Sequence, residues 1–259
     1  MPAIHSDGCP LHVEIDGPEG APVLMLSNSL GVNLSMWEPQ LAPFTRHFRL
    51  VRYDRRGHGR SGVTPGPYTM EQLARDDLAI MDGLGLAKVN FCGISMGGMV
   101  AQWLGAFAPE RIDKLILSNT SCHYPLKEPW NDRIKTVREG GIAAVADTVL
   151  GIWFTKDFHA REPETIKRFR EIMVATPLEG YIGCAAAVRD MDHRDVVAKI
   201  KLPTLLIAGR HDGSTTVEAA EFIRDRIPGA KLTVLDAAHI ANVEQAAAFN
   251  AEVLGFLRA

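Results

Sequence analysis

Six short runs of near-continuous apolar residues punctuate the chain: PVLMLSN (22–28), FRLVRYD (48–54), VNFCGIS (89–95), KLILSNT (114–120), TLLIAGR (204–210) and KLTVLDA (231–237). Hydrophobicity sustained over about five residues predicts strands covered on both faces, as in a parallel sheet. LHVEID (11–16) alternates instead, which predicts a half-exposed antiparallel edge strand. Between the runs lie helical patterns. In TMEQLARDDLAIMDGLG (69–85), Leu73, Asp77, Ile80, Met81 and Leu84 recur at near-helical spacing and the pattern stops at glycine; 98–110, 217–229 and 243–259 read as further helices. Strand and helix in alternation predict an α/β fold, a doubly wound and mostly parallel sheet with its function at the carboxyl ends of the strands.

One stretch interrupts that alternation. From about 121 to 199 no strand pattern occurs, but four helical patterns do, at 130–140, 141–155, 163–176 and 178–192. A helical block between two strands of an α/β sheet predicts a cap over the strand ends. The expected organisation is a core from 1–120 and 200–259 with a helical cap subdomain at 121–199.

Composition narrows the function classes. A chain of 259 residues with a net charge of −3 attracts neither nucleic acid nor an anionic membrane surface, so a general binder of either is excluded. MPAIHSDGCPLHVEIDG lacks a basic flank and an apolar stretch, so no leader is expected, and no apolar run reaches the roughly 18 residues of a membrane span. Cys9, Cys92, Cys122 and Cys184 are scattered without paired spacing, which predicts reduced thiols in a cytoplasmic protein. Histidines without ligand spacing predict no metal site, and no cofactor is expected. Homo-oligomerisation stays open.

The chemistry centres on FCGISMGGMV (91–100). Gly-x-Ser-x-Gly alone is weak, since chance supplies roughly 0.1 such pentapeptides in a chain of this length. At a junction of strand and helix it predicts a nucleophile elbow, a tight and strained turn whose flanking side chains must be absent. Gly93 and Gly97 meet that need, Gly98 lets the helix pack closely, and Ser95 sits at a helix N-terminus that favours developing negative charge.

A serine hydroxyl needs a base, and histidine is the usual one near neutral pH. Asp212 follows the strand at 204–210, and His239 follows the strand at 231–237, so both fall on the edge of the sheet that carries Ser95. His58 reads as a loop-structuring residue, and His211 lies one residue early. Asp236 is the rival acid, only three residues before His239. The other site where this architecture carries an acid, after the strand at 114–120, reads SNTS and has no carboxylate. For the oxyanion hole, the backbone N–H groups of Met96 and, in the SNSLG loop (27–31), Leu30 are the expected donors.

YDRRGHGRS (53–61), GISMGG (93–98), AGRHD (208–212) and AAHIANVEQ (237–245) stand in the order and spacing of the α/β-hydrolase superfamily, which this chain resembles over nearly its whole length. Most members have His-Gly where this chain has Asn28-Ser29. SNSLG, CAAAVRDMD (184–192) and HIANVEQ (239–245) are together similar to the 3-oxoadipate enol-lactonases of bacterial aromatic catabolism. The acid loop departs slightly, reading DGSTT (212–216) where relatives often have Thr-Pro. The resemblance implies hydrolysis of an enol-lactone bearing a carboxymethyl group to 3-oxoadipate by Ser95, His239 and Asp212 through an acyl-enzyme. General carboxylesterases, carbon–carbon bond hydrolases, cofactor-free perhydrolases and receptor-like binding members of the same fold stay open.

An anionic substrate in a closed site needs a cation, because burying a carboxylate unpaired costs several kcal/mol. Arg189, after the small apolar run GCAAAV (183–188), and Arg133, three residues from Trp130 on one helix, are equal candidates. A surface salt bridge to Asp190, Asp192 or Asp132 is the alternative for either. Trp130, Trp153 and Phe154 are the cap's large apolar residues; a helix cannot aim the adjacent Trp153 and Phe154 at one surface, so one of them is expected in the pocket. Ser29 is expected either to touch substrate or to stabilise its loop.

Overall fold

The computed structural model describes residues 4–259; the first three residues of the segment read as leader-free lie outside the described residues. Two short strands, β1 (Ile4–Ser6) and β2 (Cys9–Leu11), form an antiparallel hairpin that is too short to stand out as a pattern. The expected strands then follow as β3 (Val13–Asp16), β4 (Val23–Ser27), β5 (Arg49–Tyr53), β6 (Val89–Ile94), β7 (Ile112–Ser118), β8 (Thr204–Gly209) and β9 (Lys231–Leu235). They make one sheet in the order β3-β5-β4-β6-β7-β8-β9, parallel throughout except for β3, which pairs antiparallel with β5 at the edge. β6 and β8 are buried at every position, as apolar runs without alternation require.

Helices α1 (Glu38–Phe44), α2 (Met70–Gly83) and α3 (Met96–Phe107) cover the sheet in its first half. Among the described residues, six helices separate β7 from β8, not four: α4 (Glu128–Gly140), α5 (Ala143–Trp153), α6 (Lys156–Arg161), α7 (Pro163–Val174), α8 (Leu178–Asp190) and α9 (Arg194–Val197). The additional two span six and four residues, too little for a period to register. α8 meets the core at backbone distance. A Cβ on Gly57 would lie 2.4 Å from Gly180 Cα, and one on Gly66 would lie 3.0 Å from Gly183 Cα, while Tyr68 N–H donates to Gly183 O at 3.2 Å.

The C-terminal third holds α10 (Val217–Arg224), α11 (Ala241–Glu244) and α12 (Ala246–Arg258). α10 stops short of Gly229, because a residue preceding proline, here Ile227 before Pro228, disfavours helical geometry. The pattern at 243–259 is divided at Gln245, where α11 ends and its last residue does other work. The Glu244 carboxylate accepts Ala238 N–H at 2.9 Å and is held by Thr155, which fixes the loop before α11. All four cysteines are buried free thiols, Cys92 inside β6. Among the described residues, no helix is long and apolar enough to cross a membrane.

Candidate active site

β6 passes into α3 through Ser95, whose φ of 57° and ψ of −119° lie where side-chain-bearing residues seldom go. The glycines make this turn sterically admissible. A Cβ on Gly93 would stand 2.2 Å from Gly97 O, one on Gly97 would stand 2.2 Å from Ser27 O, and one on Gly98 would meet Thr120 Cβ at 2.7 Å. Backbone bonds hold the strained residue: Ser95 N–H donates to Ser118 O at 3.0 Å, and Ser95 O accepts Thr120 Oγ1 at 2.8 Å and Met99 N–H at 3.0 Å. Met96 is the first residue of α3, where a helix leaves the backbone N–H without an intrahelical acceptor.

Asp212 and His239 emerge from adjacent strands, β8 and β9, and meet. His239 Nδ1 lies 2.8 Å from Asp212 Oδ2, with both residues buried. Four further donors reach the carboxylate: Ser214 N–H at 2.9 Å and Thr215 N–H at 3.0 Å on Oδ1, and Thr215 Oγ1 at 2.5 Å and Asn119 Nδ2 at 3.1 Å on Oδ2. Burial by itself raises a carboxyl pKa, but the charge of His239 and these hydrogen bonds outweigh it and bring Asp212 down to about 2. An ionised Asp212 keeps the imidazole proton on Nδ1, which leaves Nε2 as the nitrogen available to the cavity.

Asn119 and Thr215 were not legible as partners. Asn119, with a φ of 44°, occupies the SNTS site after β7 that lacks a carboxylate, and its amide bridges Asp212 to Ala238 O at 3.1 Å. Only its place at a strand's carboxyl end hinted at a role. Asp236 is on the surface, 77% exposed, paired with His211 at 2.7 Å, so neither reaches the site.

The loop after β4 supplies another wall. Asn28 is locked by donating to Tyr53 O and accepting from Trp37 Nε1, both at 2.8 Å. Gly31 takes a φ of +81° and donates its N–H to His58 Nε2 at 2.9 Å, so His58 does structure a loop, this one. Ser29, Leu30, Ser95, Met96 and His239 all border a single cavity.

Helices close that cavity. Trp130 and Arg133 reach it from α4, and Trp153 from α5. Phe154 turns away, stacking on Phe158 with centroids 5.0 Å apart. The space left open to the centre of a water molecule is about 30 Å³. The Arg133 guanidinium lies 5.1 Å from the Trp130 ring and 5.7 Å from the Tyr181 ring, and its buried Nε has no hydrogen-bond partner. Arg189 does not join it. It pairs with Asp190 at 2.6 Å and with Asn131 at 3.1 Å outside the cavity, so the expectation of Arg189 as a pocket cation is corrected. A larger hollow of about 700 Å³, bordered by Glu14, Asn33, Arg52 and Glu171, is open to solvent and holds none of these groups.

Comparison with known proteins agrees with this fold. A family described as alpha/beta hydrolase fold matches residues 22–246. 3-Oxoadipate enol-lactonase 2 of Acinetobacter baylyi is 41% identical over 90% of this chain and 88% of its own length. 3-Oxoadipate enol-lactonase 1 of the same organism is 36% identical over 100% of the chain and 99% of its own length. The crystal structure of the enol-lactonase from Burkholderia xenovorans superposes with a TM-score of 0.98 at 43% identity, covering 100% of both chains.

Proposed function

The chain belongs to the α/β-hydrolase family and is a lactone or ester hydrolase, and on that premise we propose that it opens 3-oxoadipate enol-lactone to 3-oxoadipate. In this reading Ser95 Oγ attacks the lactone carbonyl while His239 Nε2 takes its proton. The resulting imidazolium is stabilised by ionised Asp212, which does not itself take the proton. Leu30 and Met96 N–H groups hold the oxyanion of the tetrahedral intermediate. Collapse breaks the ring C–O bond and expels an enol, protonated by His239, which becomes a ketone; this makes the leaving group good. Water, deprotonated by His239, then attacks the acyl carbonyl, and the second tetrahedral intermediate releases Ser95 and the free acid.

The observation that carries the substrate assignment is Arg133. A guanidinium beside the cavity, flanked by two rings and with Nε unpartnered, is a ready donor for a carboxylate remote from the reacting carbonyl. The helices between β7 and β8, as a cap, would then set substrate choice, with Trp130 and Trp153 shaping the apolar part and Ser29 bordering it. The test compares kcat/KM for the acidic enol-lactone with that for a neutral lactone in wild type and Arg133→Met. An equal loss on both, or no loss on either, returns the protein to the general carboxylesterases.

A further inference from the structure

We propose that His58 is a positioning residue for the oxyanion loop, its Nε2 accepting the Gly31 N–H and thereby fixing the peptide that follows Leu30. The inference rests on the reading that Leu30 N–H is a hole donor. A neutral imidazole has one donor and one acceptor nitrogen, and a backbone N–H can only donate. The 2.9 Å bond from Gly31 therefore makes Nε2 the acceptor, which puts the proton on Nδ1, 3.3 Å from Arg56 O. The ring is buried completely, and this burial, with the neighbouring charge of Arg55, pushes its pKa down to about 4 against the opposing bond to Arg56 O. His58 thus holds the acceptor form at neutral pH.

The loop needs such an anchor. Gly31 sits at a φ of +81°, and glycine opposes alternative backbone conformations less than any other residue. From the other side Gly31 is faced by Tyr181, whose Cε2 would lie 3.1 Å from a Cβ there. The segment carrying His58 is itself rigid: Gly57 N–H donates to Gly62 O at 2.8 Å, and Asp54 accepts Arg60 N–H and Leu34 N–H, each at 2.8 Å. Two bonds, to Gly31 and to Leu34, therefore seat the oxyanion loop on that segment. A misplaced hole donor weakens transition-state stabilisation and leaves ground-state binding largely alone.

The test uses His58→Leu and His58→Gln in the full chain, with 4-nitrophenyl acetate as substrate and kcat and KM measured on protein shown to be folded. His58→Leu is expected to lower kcat by up to about 10²-fold, the scale of one lost donor, with KM changed by less than about threefold. His58→Gln, whose amide oxygen accepts an N–H, is expected to recover most of that loss. Wild-type kcat in folded His58→Leu, or equal impairment of both variants, overturns the proposal. Long-range ¹⁵N–¹H correlation spectra of the wild type decide it even if His58→Leu does not fold: Nδ1–H is expected, and Nε2–H overturns it. Leu30→Pro, measured alongside, separates the two claims. Wild-type kcat in folded Leu30→Pro removes the underlying reading, whereas a loss of about 10²-fold or more there together with an unaffected His58→Leu removes only the role of His58.

Discussion

The sheet-side wall of the cavity and its helical wall satisfy their polar groups in different ways. On the sheet side, Asp212 accepts from five donors and His239 is held in one tautomer. On the helical side, Arg133 rests between aromatic rings with Nε unpartnered. A saturated network is a machine for one reaction, since each group has a single arrangement. An unpartnered buried donor is costly by itself, and that cost is relieved when a ligand supplies the acceptor. On the proposed reading, reaction and selection fall to different walls.

The strongest way to break that division is at Ser95. Ser95→Ala should lower kcat on every substrate by about 10³-fold or more with the fold intact. Adding His239→Ala or Asp212→Asn should cost little further, because the three act as one unit; substantial turnover by folded Ser95→Ala would end the nucleophile assignment. Next comes the loop after β4. Leu30→Pro removes a backbone donor and should cost about 10²–10³ in kcat, whereas Leu30→Ala keeps the donor and should cost little. A crystal structure of the proline variant checks that the loop survives; Leu30 N–H pointing away from Ser95 Oγ in the wild-type crystal would refute the role.

The helical wall should respond selectively. Arg133→Met should weaken kcat/KM for the acidic lactone by about 1.5–3 kcal/mol, the scale of a charge-assisted hydrogen bond, and leave a neutral ester nearly unchanged. Arg189→Met, already paired with Asp190, should alter neither. The smallest effect is on stability. Asp212 titrates near 2 when folded, against about 3.9 in an unfolded chain. A depressed carboxyl contributes stability above the unfolded value and loses it as pH falls through the folded one, so about 1 kcal/mol should be gone by pH 3. Denaturant titrations at pH 7 and pH 3 should show wild type losing about that much more than Asp212→Asn, and equal losses would mean that Asp212 is not so perturbed.

The sheet and the candidate catalytic residues were legible because both depend on short segments. A fully buried parallel strand must be apolar throughout, and an elbow must surround its serine with glycines, so β6 and Ser95 announce themselves locally. Asn119, Thr215 and the His58–Gly31 bond join segments far apart in the chain, and nothing in a local pattern marks them. Arg189 shows how a true signal can be misread. The run GCAAAV is small, but because α8 approaches the 57–68 segment at backbone distance, with Gly183 under the Tyr68 ring and Cys184 Sγ 3.9 Å from Arg56 O. Small residues there report packing between helix and core, and Arg189 merely lies near the exposed end of the same helix.

The volume of the cavity has a kinetic consequence. Only about 30 Å³ of it is open to the centre of a water molecule, so the side chains that line it stand close against anything that enters. If substrate binds only to a wider conformation, measured affinity equals the intrinsic affinity scaled by the fraction of molecules that are open. Because α8 is held to the core backbone against backbone, such a widening would be expected at α4 and α5, which carry Trp130, Arg133 and Trp153. A substitution that loosens those two helices without touching the cavity should raise the association rate and lower KM, while the reaction after closure proceeds at its former speed.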